Sequence, residues 1–258
     1  MFKLYPCVKE EAGQFSVSTH EVIEEIPLMV MVNGRHALTV MSSPTLIREL
    51  VTGLLFTERI IQGPEEIDSL QVEPDKVSVL TKNPFKILVS KKTVLSGCGG
   101  TASFLDVART ISIKSDLCID VSAIETAVKM TLTSDLHIKT GGIHLIGLFN
   151  ARGAVCISED IGRHNALDRV IGYGLINKTD FSRCFVVSSG RISSDMVRKC
   201  LVAGIPIIIS RGATTSLALD LAEKSGLTVI GFVRGKKMII YTHTQRIKDA
   251  IPLGKGNP

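Results

Sequence analysis

The regular alternation of residues 185–242 most limits what this chain can become. Phe185–Ser188 reads as a strand and Ser193–Ala203 as a helix closed by Gly204. Ile205–Ser210 is a second strand, Ser216–Ser225 a helix closed by Gly226, Leu227–Val233 a third strand and Lys237–Thr242 a last one. Strands alternating with helices of this length need crossover connections. The expected fold class is therefore α/β, a mixed, mainly parallel sheet with helices on both faces.

The chain before it reads as a smaller α+β region. Ile26–Val32 is an apolar strand, and Asn33-Gly34 is a hairpin turn into His36–Met41. Ser43-Pro44 supplies an N-cap and a first-turn proline for a helix carrying Ile47, Leu50, Val51, Leu54 and Leu55. Val72–Ser90 reads as weak strands, and Ser96–Gly100 as a glycine-rich loop. Ser122 and Glu125 make a capping box for a helix with Ile124, Ala127 and Val128. Gly141-Gly142 precedes a hairpin of His144–Phe149 and Ala154–Ser158, and a helix with Ala166, Leu167, Val170 and Ile171 follows. The expected divisions are 1–92 (α+β), 93–121 (cysteine loop and connector), 122–245 (α/β domain) and 246–258 (tail).

Composition narrows the function classes. With 258 residues, 45% of them hydrophobic, the chain can bury a substantial core. Its apolar runs are strand-length, too short to span a bilayer, and the polar, acidic stretch after Met1–Pro6 has no signal-peptide pattern. A cytoplasmic location is expected. The net charge of +5 favours anionic small molecules, while no basic block and no Trp argue against nucleic acid. Six cysteines form no CxxC pair, which excludes a four-thiolate zinc site, and Cys156, Cys184 and Cys200 read as small hydrophobes.

Ligands of such sheets bind beyond the carboxyl ends of the strands. Three loops qualify: Ser188–Arg191, Ser210–Thr215 and Phe232–Lys237. All three carry glycine and arginine, and the first two open helices whose free N–H groups favour an anion. Any one of them could be an ordinary turn with solvated arginines; three on one edge favour a pocket for something phosphorylated. Glu159–Asp168 concentrates charge at a helix start, and His144 opens a strand. Cys98, flanked by glycines, suits an accessible thiolate, although alone it reads more readily as a small residue in a turn.

Gly141-Gly142-Ile143-His144, then Glu159-Asp160-Ile161-Gly162-Arg163-His164-Asn165-Ala166-Leu167-Asp168, then Ser189-Gly190-Arg191 resemble successive signatures of the formate dehydrogenase accessory protein family, the FdhD/NarQ sulfurtransferases. Ala203–Pro206, Thr215–Ala218 and Gly231–Gly235 extend the likeness. The resemblance implies a cytidine-deaminase-like C-terminal domain and a sulfurtransferase with a persulfide on Cys98. It implies sulfur taken from a cysteine desulfurase and passed to a molybdenum (or tungsten) bis-guanine dinucleotide cofactor for formate dehydrogenase. Phe232, Val233, Arg234, Gly235, Lys236 and Lys237 match the family's cofactor-binding stretch. Arg163, His164, Arg191 and Arg211 are candidate pocket residues. No zinc is expected, because His164-Asn165-Ala166 lacks the deaminase glutamate and no PCxxC follows. Family habit and apolar hairpin edges suggest a homodimer, with no membrane partner.

One departure bears on mechanism. Many relatives carry two loop cysteines, whereas here Cys98 is followed by Gly99, Gly100 and Thr101. If Cys98 aligns with the first, a single persulfide is the route; if with the second, the usual acceptor is missing. The first alignment fits Gly99 better. The alternative function is a chaperone that binds and delivers the cofactor without moving sulfur.

Overall fold

The computed structural model describes residues 1–83 and 111–252, so Cys98 and its loop lie outside the described residues. The larger sheet joins β7 (His144–Asn150), β8 (Gly153–Asp160), β9 (Phe185–Ser188), β10 (Ile207–Ser210), β11 (Thr228–Arg234) and β12 (Lys237–Ile240) in the order β12-β11-β10-β9-β7-β8. Only β9, β10 and β11 pair in parallel; β7, β8 and β12 are joined antiparallel. The expected mainly parallel sheet is thus confined to its three central strands, because the β7–β8 and β11–β12 connections are hairpins too short for a crossover. Every residue of β9 and β10 is buried, as strands covered on both faces must be.

Helices α4 (Arg163–Ile176), α5 (Ser194–Ala203) and α6 (Ser216–Ser225) cover one face. Helix α2 (Val121–Leu132) and Ile247 cover the other. Gly204 and Gly226 terminate α5 and α6 in the left-handed conformation, which glycine adopts without strain. Helix α2 is capped by Asp120, which accepts from the Ala123 N–H at 2.8 Å, rather than by the expected Ser122–Glu125 box. A short helix α3 (Asp135–Thr140), capped by Ser134, comes before β7. Residues 246 and 247, expected to begin a tail, are buried, and Ile247 bridges Ile119.

A four-stranded sheet, order β4-β3-β6-β5, is built from β3 (Ile26–Val32), β4 (Arg35–Ser42), β5 (Ile67–Val72) and β6 (Lys76–Thr81). Its inner face packs on helix α1 (Ile47–Thr57). Of the stretch expected as weak strands, Val72–Ser90, the described part holds β6; β5 precedes it and was not expected, and residues 84–90 lie outside the described residues. Ser43 does not cap α1: the helix starts at Ile47 after a left-handed Leu46. Ser43 is instead buried in the seam between the two sheets.

That seam is tight and ionic. A Cβ on Gly53 would land on the Asp168 carbonyl, and one on Gly172 on the Glu49 carbonyl, so α1 and α4 approach backbone to backbone. Arg169, fully buried, pairs with Asp160 at 2.6 Å and donates to the Glu159 and Ser43 carbonyls. Asp160 also accepts from the Ser43 N–H at 3.0 Å and the Gly162 N–H at 2.7 Å. Beside it, Lys199 donates to Asp168 at 2.9 Å and to Thr57 Oγ1 at 3.0 Å. Arg198 joins Glu58 of the α1 end to Asp195. Burial works against the Lys199 charge, but Asp168, Asp195 and Glu58 outweigh it and hold its pKa above the usual lysine value.

The first strands were not anticipated. β1 (Phe2–Glu11) and β2 (Gln14–Ile23) form a separate antiparallel ribbon, turning at Ala12-Gly13, where both residues take positive φ.

Candidate functional site at the carboxyl edge of the large sheet

The topology brings five chain segments to one edge. The parallel strands β9, β10 and β11 end there, β7 begins there, and β8 ends there next to the start of α4. His144, Arg163, His164, Gly190, Arg191, Gly212 and Phe232 therefore share a rim, although they span almost ninety residues of sequence.

Two serines shape the central turns. Ser188 and Ser210 are register partners on β9 and β10, both fully buried. Their hydroxyls donate to the same acceptor, the Gly190 carbonyl, at 3.1 and 2.6 Å. The N–H groups of Gly190 and Gly212 donate back to them at 3.1 and 2.8 Å. A bridge between Ile192 and Thr214 and a bond from Phe232 N–H to Gly212 O (3.0 Å) lock the three loops side by side. The repeated Ser-x-Gly at the two strand ends carried this signal in the sequence, and the reading above used only the glycines and arginines.

Gly190 is where the rim is narrowest. A Cβ there would sit 2.9 Å from His144 Nδ1 and 3.5 Å from Arg163 Cδ. Burial, then the Arg163 charge, lowers the His144 pKa, so it is neutral near pH 7. Burial, then the neighbouring Arg191, also lowers the Arg163 pKa, and its Nε is buried without a partner. Among the described residues, Arg163, Arg191, Arg211, Arg234, Lys236 and Lys237 take part in no ion pair. Helices α4, α5 and α6 all start at this rim without a side-chain cap. The rim thus offers unspent N–H donors and positive charge to an anion.

His164 lies deeper, with Nε2 3.4 Å from Ser193 Oγ and 3.5 Å from Asp195 Oδ2. Burial drives its pKa down to about 4, with Asp195 opposing. Asp195 itself stays ionised: burial would raise its pKa, but Lys199 and Arg198 more than compensate. Asp195 and Ser193, which meet His164, and Glu58, which shares Arg198 with Asp195, were not picked out from the sequence, since contacts so distant along the chain leave no local pattern.

The third expected loop is a strand hairpin. Phe232, Val233 and Arg234 belong to β11, Gly235 and Lys236 make the turn, and Lys237 opens β12. Phe232 bulges out at positive φ and stays exposed, whereas the Val233 side chain is buried in the core, leaving only its backbone for a ligand. Among the described residues no cluster of His, Cys, Asp and Glu could hold a metal ion. Of the described cysteines, burial raises the thiol pKa of Cys156 and Cys184 to about 11 and of Cys200 to about 12. All three are poor nucleophiles.

A parallel three-strand centre flanked by antiparallel strands and covered by helices on both faces makes this a mixed α/β protein. Residues 23–248 match the model of the FdhD/NarQ family, and the chain belongs to that family. A sulfur carrier protein FdhD from Bacillus pumilus is 37% identical over 248 residues, covering 92% of this chain and 94% of the relative. One from Geobacillus kaustophilus is 33% identical, covering 95% and 97%. A crystal structure described as a formate dehydrogenase accessory protein from Desulfotalea psychrophila superposes with a TM-score of 0.81 at 29% identity. It covers 95% of this chain and 99% of that one. No helix among the described residues is long and apolar enough to cross a membrane.

Proposed function

We propose that this chain is a sulfur carrier with sulfurtransferase activity, and that the carboxyl edge holds its acceptor. The supporting observation is a rim of arginines that form no ion pair among the described residues, with uncapped helix starts, in a member of a family whose relatives are named sulfur carriers. Cys98 thiolate attacks the outer sulfur of a cysteine desulfurase persulfide; a new S–S bond forms on Cys98, and the desulfurase thiolate leaves. The substrate is a reduced molybdenum (or tungsten) bis-guanine dinucleotide destined for formate dehydrogenase: the Cys98 S–S bond breaks, Cys98 leaves as thiolate, and the substrate metal supplies the two electrons that take the sulfane sulfur to sulfide. Arg163, Arg191, Arg211, Arg234, Lys236 and Lys237 neutralise its diphosphates, Phe232 and Gly235 shape the rim, and Val233 contributes backbone only. His164, set deeper beside Ser193 and Asp195, orients the ligand or the persulfide from below the rim. The protein works in the reducing cytoplasm, where Cys98 stays a thiol, and as a homodimer.

The test is intact-mass spectrometry after incubation with a cysteine desulfurase and L-cysteine. Wild type should gain about one sulfur mass, removed by reductant, and Cys98→Ala should gain none. An unmodified wild type beside an active desulfurase would leave the chaperone reading. The single cysteine in the Ser96–Thr101 loop favours that reading.

A further inference from the structure

His164 and Asp195 meet where the charged seam reaches the rim. Asp195 divides its carboxylate: Oδ1 accepts from Arg198 Nε at 2.9 Å, and Oδ2 faces His164 Nε2 at 3.5 Å. Arg198 is itself fixed, since it donates to the Thr57 carbonyl at 2.8 Å and pairs with Glu58. Ser193 holds the N-cap position of α5, yet its hydroxyl caps nothing and lies 3.4 Å from the same Nε2. The other ring nitrogen, Nδ1, has no partner among the described residues and is not one of the sealed polar atoms, so it is left open to a ligand.

Which nitrogen of a neutral imidazole carries the hydrogen is set by what faces the other. An ionised carboxylate has no hydrogen to offer and only accepts. Burial opposes the Asp195 charge, but Lys199 and Arg198 outweigh it and keep the carboxylate ionised. Nε2 therefore carries the hydrogen, and Nδ1 a lone pair.

We infer that Asp195 is a positioning residue, which holds His164 in this form and so sets an acceptor in a rim furnished largely with donors. The arginines, lysines and backbone N–H groups there suit phosphate oxygens, whereas a lone pair repels them. Nδ1 suits a hydrogen donor lying next to a phosphate, which in a nucleoside diphosphate is a ribose hydroxyl. Held the other way, the ring would present Nδ1–H as one more donor, and His164 would no longer tell a hydroxyl from a phosphate oxygen.

Asp195 acts here through the ligand site proposed above, so the experiment must separate the two. Nitrogen NMR of histidine-labelled protein should show His164 protonated at Nε2 and bare at Nδ1; the opposite form would overturn the assignment. In titration calorimetry, wild type should favour guanosine diphosphate over its dideoxy analogue, which lacks both ribose hydroxyls. The preference should be roughly three- to tenfold, the effect of one hydrogen bond. His164→Phe keeps a ring without the lone pair, and Asp195→Asn puts an amide that accepts or donates where only an acceptor stood. Each should bring the ratio to within about twofold of one, and Asp195→Asn should add nothing once His164 is replaced. Damage to the fold weakens both nucleotides alike and leaves their ratio unmoved, so a smaller ratio is not a stability effect. A wild-type ratio in Asp195→Asn, or a wild type that binds both nucleotides equally, would overturn the role of Asp195 and leave the rim standing. A wild type that binds neither would overturn the rim as well. None of these results bears on the persulfide mass shift at Cys98.

Discussion

The seam between the sheets and the carboxyl rim use the same residue types for opposite ends. In the seam, Arg169, Arg198 and Lys199 are buried and each is matched by a carboxylate. At the rim, Arg163, Arg191 and Arg211 form no ion pair among the described residues, and α4, α5 and α6 begin without side-chain caps. Helices α2 and α3, which start elsewhere, are capped by Asp120 and Ser134. A cation matched within the fold is structural; one left with unsatisfied donors around it is kept for something outside the chain. The contrast predicts that seam variants lose stability and rim variants lose ligand.

The largest effect should come from Lys199→Ala. It strips the cation from the buried Asp168, while Arg198 still holds Glu58 and Asp195, and should cost ~3–5 kcal/mol in urea unfolding. A loss under about 1 kcal/mol would mean that water reaches the seam and the contrast fails. Gly53→Ala should follow at about 1–3 kcal/mol or more, because the new methyl meets the Asp168 carbonyl rather than a flexible side chain. If Gly53→Ala is neutral by the same assay, α1 and α4 are free to slide apart.

His164 sits between the two regions and sharpens the comparison through pH. Its folded pKa, about 4, lies below the ordinary histidine value of 6.5. Above pH ~6.5 it is neutral both folded and unfolded and makes no difference. As pH falls from there towards 4, the unfolded chain takes up a proton that the folded chain refuses, so stability drops. Wild type should lose on the order of 1–2 kcal/mol more than His164→Gln between pH 7.5 and 5, a figure reduced for the partial exposure of the ring. Identical pH profiles for the two proteins would place the imidazole in water instead.

The C-terminal half was legible because its signals are local. Apolar runs, Gly204 and Gly226 mark β9 to β11, α5 and α6 to within a few residues. The rim was legible one step further, since topology alone puts Gly190, Gly212 and Phe232 on one edge. The seam was not, because its partners lie far apart in sequence: Ser43 meets Arg169, Thr57 meets Lys199, and Gly53 meets Asp168. Ser43-Pro44 looks locally like a helix start for that reason. The ribbon escaped notice because Pro6 and the charges at Lys3, Lys9, Glu10 and Glu11 blur an alternation that the pairing register makes plain.

The smallest change in stability, and the most direct test of the contrast, belongs to Arg191→Ala. The side chain is exposed and forms no ion pair among the described residues, so its loss should move unfolding by no more than ~0.5 kcal/mol. Binding should respond differently. Removing one phosphate-facing guanidinium should weaken guanosine diphosphate, used as a probe of the rim, by ~1–2 kcal/mol, roughly tenfold in titration calorimetry. The weakening should shrink as salt rises, because an exposed cation is screened. Lys199→Ala, compared below its own unfolding transition, should bind the probe within a few-fold of wild type if seam and rim are separable. Equal losses of binding in both variants would show instead that Asp195 and His164 carry the seam's charges into the rim, making the two regions one electrostatic unit.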